Sequence, residues 1–175
     1  MTGGLRKLGL MLHVTASVSW LGAVLGFLSL TVAALWSSQP FMIRAAYVSM
    51  DVLARFAILP LCVASLVTGV VQSLISPWGL VQHYWVAFKL LLNALSTIVL
   101  VGHMRPIAGL AQAALDRSLA GGAFSQVRIQ IAVDACAAAI VLLIATALAI
   151  YKPRGVTRYG WQKQQERRVN RLTQL

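Results

Sequence analysis

Acidic side chains are scarce in this sequence. Asp51, Asp116, Asp134 and Glu166 are the only four, against fifteen lysines and arginines, and charged residues of both signs make up 11% of the chain. Ordinary soluble domains carry about a quarter of their residues as charges. Cysteine is equally thin. Cys62 and Cys136 both fall inside apolar runs, with no CxxC pair, which excludes a disulfide framework or a zinc knuckle and reads as two buried thiols. No phosphate-binding loop, zinc-protease helix or nucleophile triad is found, so hydrolytic chemistry is disfavoured. There is no internal repeat.

What is present is hydrocarbon. Of the 175 residues 59% are hydrophobic and the mean hydropathy is +0.78, which marks a membrane protein. A spanning helix needs about 20 apolar residues, because about 1.5 Å of rise per residue must cover about 30 Å of lipid tails. Four runs meet that requirement, at about residues 8–36, 52–75, 80–104 and 127–150. The first is too long for the h-region of a secretory signal, about 7 to 15 residues, and is expected to stay as a helix.

The fold expected is therefore all-α, an integral membrane four-helix bundle running up and down over residues 1–151, followed by a basic tail at 152–175. Basic residues set its orientation. Arg6 and Lys7 precede the first helix, and Lys152, Arg154, Arg158, Lys163, Arg167, Arg168 and Arg171 follow the fourth. Only Arg44, Arg105, Arg117 and Arg128 lie in or beside the loops of the other side. The positive-inside rule then places both termini in the cytoplasm. The formal charge of +11 is thus directed at anionic headgroups and not at nucleic acid.

Breakers divide the chain further. The SSQP segment ends helix 1 and opens an outer loop with Arg44, Pro60 is expected to kink helix 2, and Ser76 and Pro77 end it. The stretch 105–126 reads as a long outer loop whose AGLAQAAL segment forms an interfacial helix, released by a double glycine into helix 4.

Polar side chains inside the spans should turn to the bundle interior, since lipid offers them no hydrogen bonds. In helix 2, Asp51, Arg55, Ile58, Cys62, Ser65, Gly69, Gln72 and Ser76 follow steps of four and three, the seam of a packed helix. In helix 1, His13, Ser17, Trp20, Val24, Phe27 and Thr31 share one face. Helix 3 is ambiguous. The stretch from Trp78 to Met104 holds two of the three histidines, but about 100° per residue puts His103 about 200° around from His83. One face carries His83, Ala87, Leu90 and Ala94, the other Lys89, Ser96 and His103.

Two candidate sites follow. His13 and His83 fall at matched depth on helices that sit on a diagonal, the geometry that holds a haem b iron between two axial nitrogens. Ala16, Gly69 and Ala87 are small residues at that level, and Trp20 is placed to pack on the ring. The plainer account makes both histidines interfacial groups bonded to water. At the outer face Asp51, Arg55, His103 and Asp134 are expected to converge. Structural pairing of Arg55 with Asp134 or Asp51 is the plain reading. The sharper one is a site for a quinol headgroup or a copper ion at His103, with Met50, Met104 or Cys136 as further ligands. Lys89 either snorkels to the cytoplasmic interface or pairs with a haem propionate. Asp116 and Glu166 read as solvated.

The run LARFAILPLCVASLVTGVVQSLISPWGLVQHYWVAFKLLLNAL, with Thr68 and Gly69 near the end of one helix and Lys89 followed by leucines to Leu92 in the next, resembles a segment of small bacterial membrane proteins that include the copper resistance protein D family. It also resembles four-helix proteins with PWG-x-x-x-HYW at this junction, here Pro77 to Trp85. The resemblance covers helices 2 and 3, about a quarter of the chain, and implies copper handling at a bacterial inner membrane. The chain departs from the pattern in having no extended outer cluster of histidine or methionine.

Taken together, the sequence leads to a membrane oxidoreductase of cytochrome b type, with haem on His13 and His83 and a quinol or copper ion exchanging electrons at His103, Asp51, Arg55 and Asp134. The alternatives are a haem-free copper uptake or resistance component, or a structural or assembly subunit with no cofactor. A homo-oligomer is left open.

Overall fold

The computed structural model describes residues 3–75, 83–116 and 124–151, together with Gly155, Thr157, Gly160, Trp161, Gln162 and Gln165. Four stretches are helical and apolar over a length sufficient to cross a membrane: Gly4–Trp36, Pro40–Leu74, Tyr84–Leu115 and Ser125–Tyr151. The protein is an all-helical multi-pass membrane bundle. Its elements are α1 (Gly3–Trp36), α2 (Pro40–Leu53), a π-helical turn (Ala54–Ile58), α3 (Leu59–Ile75), α4 (Tyr84–Leu115) and α5 (Ser125–Tyr151). α2, the π turn and α3 form one continuous span.

The helices are longer than their lipid-facing parts. Exposed apolar side chains run along α4 from Tyr84 to Val101 and along α5 from Ile129 to Ile150, close to the apolar runs of the sequence. α4 nevertheless continues through Pro106 to Leu115. Over residues 105–115 the expected outer loop and interfacial helix are thus corrected: Ile107, Leu110, Ala111 and Ala114 are buried, and α4 packs on α2. Likewise the second span begins at Pro40 and not at residue 52, with Pro40 at its first turn, where a missing N–H costs nothing. Ala46, Tyr47 and Met50 of α2 face inward. Hydropathy marks what faces lipid, whereas this overhang is held by helix burying helix.

The kink expected at Pro60 takes the form of the π turn before it. A proline ring clashes with the carbonyl four residues back, here that of Phe56. A wider turn, in which the Leu59 N–H reaches the Ala54 carbonyl, relieves such a clash. The turn also resets the face. Met50, Ala54, Ile58 and Cys62 are buried at four-residue steps, so the seam does not pass through Asp51 and Arg55 as expected.

Contacts between side chains set the register. His13 meets Thr68 and Ser17 meets Ser65, so α1 and α3 run antiparallel; His103 meets Asp134, consistent with antiparallel α4 and α5. α1 packs on α2, α3 and α5, and α4 packs on the same three. The core they enclose includes Trp20, Val24, Phe27, Tyr47, Met50, Ile58, Leu110, Ile131 and Leu142. Thr31, on the face expected from the spacing of helix 1, is buried too.

Several expectations lie outside the described residues: the junction at 76–82 with Ser76 and Pro77, the double glycine, Glu166, and nearly all of the tail at 152–175. Asp116 is exposed and bonded to Gln112, in keeping with a solvated carboxylate.

Candidate functional site

The first histidine cluster lies in the half of the bundle near the start of α1. His13 Nδ1 is 3.1 Å from Thr68 Oγ1, and Nε2 is 3.3 Å from Lys89 Nζ. The Thr68 hydroxyl itself donates to the Ala64 carbonyl at 2.6 Å. A carbonyl only accepts, so the lone pair of Thr68 faces His13 and the imidazole proton sits on Nδ1. Nε2 then accepts from Lys89. Both ring nitrogens are thereby engaged. The room expected over Gly69 is taken by the imidazole, since a Cβ there would stand 3.0 Å from His13 Cε1. Lys89, expected to snorkel outward, turns into the bundle.

His83 is not on a helix face. It is the residue before α4, with extended backbone at φ −128° and ψ 130°, and its side chain is half-buried. The geometric puzzle of two histidines on opposite sides of one helix is thereby removed. The inward face of α4 runs through Lys89, Asn93, Leu100 and Ile107, with Asn93 and Ile107 buried, and Tyr84, Phe88, Leu91, Leu95 and Ile98 are exposed.

The expected outer cluster divides into two pairs. Arg55 holds Asp51 one turn back, with Nε 2.9 Å from both carboxylate oxygens, and its side chain is 48% exposed. His103 meets Asp134, Nε2 to Oδ2, at 2.7 Å. Asp51 and Arg55 therefore do not join the site of His103 and Asp134, because the outward turn at Arg55 takes that pair away. Met50 is enclosed beside Thr31, and Cys136 is exposed on α5. Among the described residues no three histidine, cysteine or acidic side chains gather in the manner of a metal site.

His103 and Asp134 border a cavity of about 250 Å³. Its walls are Trp20, Val24 and Phe27 of α1, Ile58 of the π turn, Leu92, Leu95, Ser96, Val99, Leu100, His103 and Ile107 of α4, and Ile131, Asp134, Ala135, Ala137, Ala138 and Val141 of α5. Three alanines on α5 leave the space. Leu95, Val99 and Ala137 both line it and are exposed on the bundle surface, so the cavity opens sideways to lipid between α4 and α5.

The polar corner of this cavity has unusual bonding. His103 Nδ1 is 2.8 Å from the Val99 carbonyl and must carry a proton to bond it. In a neutral ring Nε2 would then hold a lone pair, and so does Asp134 Oδ2. A proton placed between Nε2 and Oδ2, as imidazolium with carboxylate or imidazole with carboxylic acid, would bind the pair. The contact is off the axis of a hydrogen bond, and Oδ2, buried, has no aligned donor among the described residues. The Gln130 amide reaches Nε2 at 3.4 Å. Trp20 Nε1 is also buried without a partner among the described residues.

Sequence reasoning placed His103 and Asp134 together, and it turned His13 and Trp20 inward. It missed the cavity, whose only trace in the sequence is the alanine run of α5, and it missed Gln130. The contacts His13 with Lys89 and Cys62 with Thr97 join positions far apart in sequence and leave no local signal. Comparison with protein-family models, with curated proteins and with solved structures gives no match for this chain.

Proposed function

We propose that the chain is a quinol-binding protein of the bacterial inner membrane, an up-down bundle with both termini in the cytoplasm, and that the cleft between α4 and α5 seats the ring of a lipid-soluble quinol. The observation that carries this reading is an otherwise apolar cavity that opens to lipid and has His103 and Asp134, 2.7 Å apart, on its wall. A few polar groups in apolar surroundings orient a ligand by hydrogen bonding to its hydroxyl. The size fits, since an apolar cavity of about 150 Å³ takes benzene and this one is larger. His103 and the Asp134 carboxylate supply the base, an unprotonated member of the pair accepting the proton of the quinol O–H.

Purified protein in lipid nanodiscs, titrated with a benzoquinone bearing a ten-carbon tail, tests this. Saturable binding is expected in the wild type and at least tenfold weaker binding in His103→Ala and Asp134→Asn. Equal binding by all three proteins would falsify the assignment.

Oxidation of a bound quinol needs an electron acceptor. The sequence suggests a haem on His13 and His83, and its place is subordinate here because His13 has both nitrogens bonded and no empty space above Gly69. An axial role requires Lys89 to withdraw. A copper site at His103 rests on the resemblance to the copper resistance group and on one imidazole with one carboxylate.

A further inference from the structure

We infer that the bundle carries a proton path between its two faces, from Lys89 and His13 through the interior to His103 and Asp134. The inference stands independently of the quinol reading.

Its entrance is an intramembrane lysine. Ionisable groups inside a span are costly and are usually paired or functional. The one hydrogen-bond partner of Lys89 among the described residues is the imidazole of His13, at 3.3 Å. No carboxylate among the described residues neutralises it there. An amine facing a neutral ring nitrogen is a pair that can hold a single proton on either member, with the second ring nitrogen already donating to the Thr68 hydroxyl.

Polar rungs continue from that point. One turn along α1 and α3 the hydroxyls of Ser17 and Ser65 meet at 2.8 Å, with Ser65 completely enclosed. One turn along α4 from Lys89, Asn93 is buried and its Oδ1 has no partner among the described residues. A further turn on, the Cys62 thiol and the Thr97 hydroxyl are 3.0 Å apart. Ser96, adjacent to Thr97, lines the cavity, as do His103 and Asp134. Successive helical turns rise about 5.4 Å, so a bridging water or a hydroxyl rotation closes each step. Within the cavity, whose walls are otherwise apolar, Ser96, His103 and Asp134 are the groups to which bridging waters bond.

Hydroxyls alone would be read as helix-packing groups. The difference here is that the row begins at an amine with no carboxylate partner among the described residues, passes an unbonded buried amide oxygen, and ends at an imidazole and a carboxylate 2.7 Å apart. The chemistry balances as transfer only. His13 Nε2 takes a proton from Lys89, Nδ1 releases one to Thr68 Oγ1, the Thr68 proton turns from the Ala64 carbonyl to the next polar rung, rotation of the imidazole restores its tautomer, and the amine is reprotonated from the adjacent face. No bonds other than N–H, O–H and S–H are made or broken.

The full chain, reconstituted in phosphatidylcholine and phosphatidylglycerol vesicles loaded with pyranine, is subjected to a potassium gradient with valinomycin. Proton entry several-fold faster than in protein-free vesicles is expected, falling to background in Lys89→Met and in Asp134→Asn. Arg55→Ala, whose ion pair faces away, keeps the wild-type rate. Because Lys89→Met risks misfolding, Thr97→Val and Asn93→Leu are read alongside it, each first shown to be monodisperse and helical. Wild-type flux no faster than in protein-free vesicles overturns the inference, and so does wild-type flux in a folded Lys89 or Asn93 variant. Flux that a seated quinone does not slow keeps the path and counts against the quinol seat.

Discussion

Lys89 and His13 stand 76 residues apart in the sequence, and their side chains meet at 3.3 Å inside the bundle. That contact occupies the nitrogen a haem iron would need. Protein made with ample haem and purified in detergent is therefore expected to show no Soret or α band in the reduced-minus-oxidised spectrum. Bands that disappear in both His13→Ala and His83→Ala would restore the haem reading and displace the present one.

Gly69 provides a second check on the same cluster. A Cβ at this position would stand 3.0 Å from the His13 ring, whereas Gly102 and Gly109 have nothing within 4 Å of theirs. Gly69→Ala should lower stability by about 1–3 kcal/mol, as overpacking does, while Gly102→Ala is close to neutral. Thermal unfolding in a single detergent compares them, and equal melting temperatures would show that the imidazole is free to move.

The cavity can be filled instead of emptied. Ala138 lines it and is partly buried, so Ala138→Phe places a ring where the quinol ring is proposed to lie. Loss of quinone binding with the unfolding temperature held or raised is the expected result. Trp20→Ala, in contrast, removes a wall that is 3% exposed and should cost about 3–5 kcal/mol. Unchanged quinone affinity in a stable Ala138→Phe protein moves the seat elsewhere.

Two arginines at the loop end should behave differently. Arg55 pairs with Asp51 on one exposed helical turn, and such pairs contribute about 0–1 kcal/mol. Arg128 ties three elements. Its Nε donates to Tyr47 Oη at 2.6 Å, an Nη donates to the Ala34 carbonyl at 3.2 Å, and the guanidinium lies 5.6 Å from the Tyr47 ring centre. Hydrogen bonds from charged donors contribute about 1.5–3 kcal/mol, so Arg128→Ala should destabilise the protein several times more than Arg55→Ala. Chemical unfolding of the two variants measures the ratio; a ratio near one contradicts the assignment.

Composition and apolar run length alone determined that this is a four-span helical membrane protein, because lipid demands about 20 apolar residues per crossing whatever the neighbours are. Spacing also determined the inward face of α1, since His13, Trp20, Val24, Phe27 and Thr31 fall on one side of any straight helix. It failed at Asp51 and Arg55, where the π turn before Pro60 rotates the seam by about one residue, and at residues 105–115, where burial against α2 and not lipid makes the helix. Only the tertiary structure decided which polar groups meet. Lys89 with His13, Cys62 with Thr97, and the cavity beneath His103 and Asp134 depend on the rotation of α4 against three other helices, and a helix's own sequence does not state the rotation of its neighbours.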